Sequence, residues 1–154
     1  MNSNQIQLVR ETFALIAPRA IVAALVFYKR LFELDPSLRP LFRGNIEGQA
    51  AKLMQMLAAA VRLLDKPQSL VPVLEDLGRR HVHYGVRDEH YDTVGDALLW
   101  MLGETLGTDF PAGAYDAWAS LYALVATTMK RAAAQESHPT QGPTQHCHTM
   151  AVAR

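Results

Sequence analysis

The chain of 154 residues contains a single cysteine, Cys147. One cysteine excludes a disulfide framework within the chain, and it also excludes multi-cysteine zinc and iron–sulfur sites. The motif C-x-x-C-H for covalent attachment of a c-type haem is absent. So is the G-x-S-x-G turn that would carry a serine nucleophile. These absences remove several large classes of metal site and enzyme.

An excess of charge of either sign is missing as well, because Lys and Arg together number 15 and so do Asp and Glu. Without a basic stripe interleaved with aromatics, we expect no nucleic-acid partner. The apolar run 20–28 is too short to span a bilayer and ends at two basic residues. The sequence therefore predicts a soluble, cytoplasmic protein with no membrane partner.

Strand-like alternation of apolar residues is absent over any useful length, and apolar residues recur instead at spacings of three and four. This period predicts an all-α domain over residues 1–136. Its helices are expected over about residues 4–17, 19–34, 46–64, 70–84, 88–106 and 111–136, with a short helical turn ending at Phe42. Ser69 is the expected N-cap of the fourth. Residues 137–154 are polar and predicted to form a flexible tail.

The segment LGRRHVHYGV places two histidines on the fourth predicted helix. At 100° per residue, His81 and His83 lie on opposite faces. The residues one to three turns before His81 on its face are apolar: Leu77, Leu74, Val73 and Leu70. The corresponding neighbours of His83 are charged, so we expect His81 to face the core and His83 to face solvent.

An inward imidazole needs a partner, because burial of an unpaired polar group costs free energy. One interpretation is a neutral core histidine bonded to a carbonyl one turn back. The other is a metal ligand. No second ligand lies at suitable spacing on the same face, so a zinc site has little support. A single axial histidine would suit a haem iron, whose porphyrin supplies four ligands.

Two other helices each carry one polar residue on an otherwise apolar face. Gln49 is the polar member on the third helix, whose inward series runs from Ile46 to Leu64. Tyr28 is the polar member on the second helix, on a face shared with Ile21, Ala24, Leu25, Leu31 and Phe32. A lone His, Gln and Tyr on three apolar faces indicate an apolar cavity with a few convergent polar groups.

The segments LFELDPSLRPLF, GQAAKLM and LGRRHVHYGVRDEHYDTVGDALL, in this order, resemble the globin superfamily. The resemblance is strongest to bacterial single-domain globins, to the globin domains of flavohaemoglobins and to neuroglobin. It extends from about Ile6 to Arg131 and rests most specifically on Arg80-His81, Gly85-Val86, Tyr91 and Val94-Gly95. It implies a three-over-three globin fold with haem b as cofactor.

The resemblance also implies roles for individual residues. His81 corresponds to the proximal iron ligand, and Tyr28, Gln49 and Leu53 correspond to residues on the distal, gas-binding side. Phe42 matches the phenylalanine that packs on the haem, and Lys52 lies where a base often meets a haem propionate; a solvated lysine is the alternative. The remaining pocket residues implied by the resemblance are Leu77, Val86, Tyr91, Val94 and Leu98.

The sequence departs from the flavohaemoglobin pattern in two respects. That family links the proximal histidine to a tyrosine and a glutamate, and here His81 and Tyr91 match. The place of the glutamate falls near Ala132 and Ala133, with Glu136 nearly one turn late. We therefore expect an incomplete network. No Gly-rich dinucleotide motif follows the globin-like region, so any reductase would have to be external.

Three functions remain open at this point. The first is reversible binding of O₂, with CO and NO as further gas ligands and with hydrogen bonds to bound O₂ from Tyr28 and Gln49. Glutamine coordinates iron poorly, so the iron is expected to be pentacoordinate or water-bound. The second function is nitric oxide dioxygenation with an external reductase, and the third is gas or redox sensing.

The predicted tail contains a second candidate for metal chemistry. It holds His138, His146, Cys147 and His148. The segment HCH could bind a soft or borderline metal ion. The alternative is a flexible tail without a function of this kind.

Overall fold

The computed structural model describes residues 1–137, and these residues form six α-helices. The helices are α1 (Ser3–Ile16), α2 (Ala20–Leu34), α3 (Ile46–Arg62), α4 (Pro67–His83), α5 (Asp88–Leu106) and α6 (Ala114–Ser137). Short 3₁₀ turns cover Ala17–Arg19, Pro36–Leu41 and Gly107–Asp109. No strand occurs in residues 1–137, so the all-α class is confirmed. Apart from Ser137, the residues of the predicted tail lie outside the described part.

The helices form two layers of three, which confirms the three-over-three arrangement. One layer contains α1, α3 and α4, and the other contains α2, α5 and α6. Contacts between the layers join α4 with α6, α2 with α3 and α1 with α6, while α2 and α5 pack side by side within one layer. The core between the layers includes Phe27, Leu31, Met101 and Trp118, all almost fully buried.

The starts of two helices show how local chemistry fixes the elements near the site. The Asn45 side chain accepts a hydrogen bond from the Gly48 N–H at 2.6 Å and caps α3. The expected cap of α4 at Ser69 is wrong. That helix begins at Pro67, three residues before the predicted start at residue 70, because proline has no N–H to satisfy and its fixed φ suits the first helical position.

The prediction of which α2 residues face inward is only partly correct. Tyr28, Leu31 and Ala24 are buried, but Ile21 and Leu25 are 46% and 43% exposed. α2 is apolar almost all round, so its sequence gives no polar face from which to set its rotation. Packing against α3 and α5 decides the rotation instead.

The apolar N-terminal part of the chain also meets a membrane criterion. The continuous helical stretch Ser3–Leu34 is 32 residues long, and its most apolar window has a mean hydropathy of 1.6. By length and composition it is the one stretch within residues 1–137 that could cross a membrane. Core helices pass the same test, and the residues of α2 that face α3 and α5 belong to the core described above.

Gly78 sets how closely α4 approaches α6. A Cβ at this position would lie 2.4 Å from the carbonyl oxygen of Met129 and 2.7 Å from its Cα. Backbone atoms cannot move aside as a flexible side chain can, so only glycine permits this contact. The contact lies three residues before His81 and fixes the part of α4 that carries this histidine.

We expect Gly78→Ala to destabilise the protein by about 1–3 kcal/mol, because the added methyl group forces α4 away from α6. Gly103→Ala is the matched control, since a Cβ at Gly103 meets nothing within 4 Å. The control should gain about 0.5–1 kcal/mol from the helix preference of alanine. Urea unfolding of both variants measures the difference, and equal stability of the two would contradict the assigned role of Gly78.

Candidate functional site

From the way their neighbours pack, we infer that an apolar cleft separates α3 and α4. The two helices follow each other in the chain, but α3 packs on α2 and α1 whereas α4 packs mainly on α6. Within residues 1–137 they share no extended contact. Leu53 and Leu57 of α3 and Leu77 of α4 are consequently only half-buried at the edge of the core.

His81 lies at the border of this cleft with one ring nitrogen occupied. Its Nδ1 is 2.8 Å from the carbonyl oxygen of Leu77, one turn earlier on α4. A carbonyl oxygen only accepts, so Nδ1 carries the proton and Nε2 carries the lone pair. Within the described residues Nε2 has no hydrogen-bond partner. Burial lowers the pKa of His81, which outweighs the opposing effect of the hydrogen bond and favours the neutral imidazole needed by a metal ion.

The two histidines face opposite sides of α4, as predicted. His81 is half-buried, whereas the side chain of His83 is 58% exposed. The hydrogen bond from His81 to a carbonyl one turn back is also present, and the interpretation of His81 as a neutral core histidine required this bond. That bond leaves the second interpretation intact, because the same contact orients a metal-binding imidazole through its other nitrogen.

Tyr28 lies among aromatic rings at the junction of α2 and α3. Its ring stacks on Phe32 at 6.0 Å between centroids and meets the edges of Phe27 and Phe42 at 5.0 and 5.3 Å. Its hydroxyl donates a hydrogen bond of 3.1 Å to the carbonyl oxygen of Gln49. Burial raises the pKa of Tyr28 to about 12, so the hydroxyl keeps its proton at neutral pH and remains a donor.

Gln49 lies in the first turn of α3, and the structure brings it together with Tyr28 through the main-chain contact just described. Its side-chain amide donates to the carbonyl oxygen of Arg43, in the turn before α3. Both predicted distal donors are therefore bonded to main-chain carbonyl groups. Arg43 could not be predicted from the sequence, because it takes part through its backbone carbonyl, which every residue type possesses.

The other predicted pocket residues differ in exposure. Lys52 is exposed, in agreement with the alternative of a solvated lysine. Leu98 and Tyr91 on α5 are buried. The remaining residues are half-buried apolar groups packed against the core: Phe42, Leu53, Leu77, Val86 and Val94.

Tyr91 and Glu136, the two residues considered for a network around the proximal histidine, do not contact each other in the described part of the chain. The Tyr91 hydroxyl is buried and has no hydrogen-bond partner among the described residues. Glu136 points elsewhere, to within 3.4 Å of His83. Ala132, near the expected place of the glutamate, is buried. Burial raises the pKa of Tyr91 to about 12, which keeps its hydroxyl protonated.

Tyr122 was not predicted from the sequence. Its hydroxyl donates to the carbonyl oxygen of Tyr91 and ties α6 to α5. A Cβ at Gly95 would lie 2.7 Å from the Tyr122 ring, so glycine at 95 makes room for this tyrosine. The small residue at 95 was the signal in the sequence that a large side chain packs there.

These residues fit a flat apolar cofactor that brings its own metal. An oriented imidazole with a free nitrogen borders a cleft lined by aliphatic side chains. Within residues 1–137 no three His, Cys, Asp or Glu side chains converge to hold a bare ion. A group such as haem needs a single protein ligand and an apolar slot, and the site provides both.

Comparison with known proteins identifies the family. The family model described as Globin matches residues 25–129, which is more than half of the chain. The chain therefore belongs to the globin family. Globins hold haem and bind diatomic gases, so this is a haem-binding, gas-binding protein.

The chain aligns with nearly all of one curated relative and with about a third of another. Neuroglobin of Tetraodon nigroviridis is 31% identical over 145 residues, which cover 85% of this chain and 91% of that protein. The flavohemoprotein of Chromobacterium violaceum is 36% identical over 126 residues. Those residues cover 79% of this chain but only 31% of the flavohemoprotein, so the chain corresponds to one part of it.

Two solved structures share the fold. One is described as an engineered carbene transferase and putative nitric oxide dioxygenase from Rhodothermus marinus. It has a TM-score of 0.78 at 28% identity and covers 88% of this chain and 94% of its own. The other is a hexacoordinated haem protein from a tardigrade, with a TM-score of 0.79 over 87% of this chain and 96% of its own. At 14% identity it shows the fold alone.

Proposed function

We propose that the protein binds O₂ reversibly at the iron of haem b, with His81 as the proximal ligand and Tyr28 and Gln49 on the gas-binding side. The observation that carries the proposal is the His81 imidazole. Its proton is held by the Leu77 carbonyl, which leaves Nε2 free, and Leu77 itself is a half-buried apolar residue one turn earlier on the same face of α4. When bound, haem supplies the iron atom at which gas ligands bind.

The residues of the cleft have separate tasks in this proposal. The Leu77 carbonyl fixes the tautomer and the rotation of His81. Leu53, Leu77, Val86 and Val94 exclude water from the cofactor faces. Phe42, held edge-on against Tyr28, is placed to pack on the ring system.

Tyr28 and Gln49 act on the gas ligand through hydrogen bonds. O₂ held at a haem iron would carry partial negative charge, and donors aimed at negative charge form the stronger class of hydrogen bond. In the structure, the Tyr28 hydroxyl donates to the carbonyl oxygen of Gln49, and the Gln49 amide donates to the carbonyl oxygen of Arg43. If either donor turned to O₂ in the loaded protein, it would exchange a neutral carbonyl acceptor for a partly negative one, and this exchange would favour slow O₂ release.

The test is repeated oxygenation of the reduced, haem-loaded protein. We expect its absorption spectrum to change on exposure to air and to return when O₂ is removed under argon, over several cycles. Oxidation to the ferric form within the first cycle, with no recovery of the reduced spectrum, would contradict reversible O₂ binding.

Nitric oxide dioxygenation is the second candidate, and two comparisons favour it. A flavohemoprotein is 36% identical to this chain, and an engineered protein described as a putative nitric oxide dioxygenase is 28% identical to it. The reaction would require electrons from an external reductase. Nitrate production that continues through many turnovers with NADH and a flavin reductase would support it, and production that stops after one equivalent would contradict it.

A further inference from the structure

One side of α2 exposes an apolar patch that consists of Ile21, Val22 and Leu25. These residues are 46%, 59% and 43% exposed, and helical geometry places them within about 100° of one another around the axis. The most apolar window of the stretch Ser3–Leu34 is only 33% buried. A helix inside a protein core is mostly buried, so a role in the core does not account for this side of α2.

Two basic residues flank the apolar patch. Arg19 lines an open depression together with Ile21 and Val22, at the bend that precedes α2. Lys29 lies about one turn after Leu25 on the same side of the helix. Both basic residues are exposed, and within residues 1–137 neither forms an ion pair.

The charge that the sequence places around the patch is of one sign. Residues 12–32 contain no Asp or Glu, and Glu33, the next acidic residue, pairs with Arg30 at 3.7 Å. Exposed apolar side chains between unpaired cations are typical of a helix that lies on an anionic bilayer. The apolar side chains enter the boundary between headgroups and acyl chains, and the cations meet the negative headgroups.

A second copy of the chain fits the same patch less well. A two-fold contact places the same surface on both partners. If the two α2 helices ran parallel, Lys29 would approach Lys29 of the other copy, and if they ran antiparallel it would approach Arg19. Cations would meet cations in either arrangement, which favours a lipid partner over a dimer.

We propose that the apolar patch, with Arg19 and Lys29 beside it, binds the surface of an anionic lipid bilayer. The apolar run 20–28 is too short to span a bilayer, and that shortness led to the expectation of no membrane partner. A helix that lies along the surface does not need the length of a span, because its apolar side enters the bilayer by only about 5–10 Å.

The test is co-sedimentation of the full-length, haem-loaded protein with vesicles of equal parts phosphatidylserine and phosphatidylcholine. We expect saturable binding that weakens as the salt concentration rises. Leu25→Ser should weaken it roughly three- to tenfold, because 43% of this residue remains to be buried. Arg19→Gln combined with Lys29→Gln should weaken it roughly 25-fold, since each basic residue near an anionic surface contributes about fivefold.

Leu34→Ser is the matched control. Leu34 is 41% exposed and lies nine residues after Leu25, on the opposite side of α2. Its substitution should leave vesicle binding unchanged, and the haem spectrum of every variant should equal that of the parent. Absence of binding to the anionic vesicles, or equal weakening in Leu25→Ser and Leu34→Ser, would overturn the proposal. So would a dimer in sedimentation velocity that Leu25→Ser dissociates, because a second copy would then cover the patch.

Discussion

His81→Ala should lose almost all of its haem while the chain stays folded. The imidazole is the proposed iron ligand, and its Nδ1 bond to the Leu77 carbonyl holds it in position. Removal of a group that merely orients a metal ligand typically costs 10–100-fold in metal affinity. Loss of the ligand itself should therefore weaken haem binding by roughly 100-fold or more.

His83→Ala is the matched control for this experiment. It removes the same kind of side chain from the same helix, two residues away and on the exposed face. We expect it to retain haem fully, as measured by the ratio of haem to protein absorbance after purification, with far-ultraviolet circular dichroism to verify the helix content. Equal haem retention in the two variants would contradict the assignment of His81.

The second large effect is expected in O₂ release from the distal variants. Tyr28→Phe removes one hydroxyl and keeps the aromatic contacts with Phe27, Phe32 and Phe42. Gln49→Leu replaces the amide by an apolar group of similar size. If each donor contributes about 1–3 kcal/mol to the charged ligand, O₂ release should accelerate roughly 5- to 150-fold per substitution.

Release of CO serves as the internal control, because CO is a weaker acceptor and should respond much less. Stopped-flow displacement of O₂ by CO, and of CO by NO, gives both rates. The effects of the two substitutions should not add, since both donors share one ligand and the Tyr28 hydroxyl contacts the Gln49 carbonyl. Equal acceleration of O₂ and CO release in Tyr28→Phe would show that the hydroxyl acts sterically or does not face the iron.

The helical period predicts correctly which residues face inward on a helix that has one clearly polar face. On α4 the charged neighbours of His83 and the apolar neighbours of His81 set the rotation of the helix, and the structure has the same rotation. On α2 no such contrast exists, so Ile21 and Leu25 were expected inside and are exposed. Periodicity gives a rotation only where burial and exposure call for different residue types.

Contacts with the main chain were the part that the sequence could not predict. The partners of Tyr28 and Gln49 are the carbonyl oxygens of Gln49 and Arg43, which every residue type possesses. Likewise, the sequence places Glu136 nearly one turn after the position expected for a glutamate that would pair with Tyr91. Its contact with His83, however, depends on how α6 lies against α4. Such contacts follow from tertiary packing.

The most direct test of the central claim is a haem titration of the full-length protein, followed by reduction and addition of CO. We predict uptake of one haem per chain, a distinct reduced spectrum and a further shift of that spectrum when CO is added. A protein that takes up no haem, or whose reduced spectrum does not respond to CO, would contradict the assignment of the cleft between α3 and α4 as a gas-binding haem site.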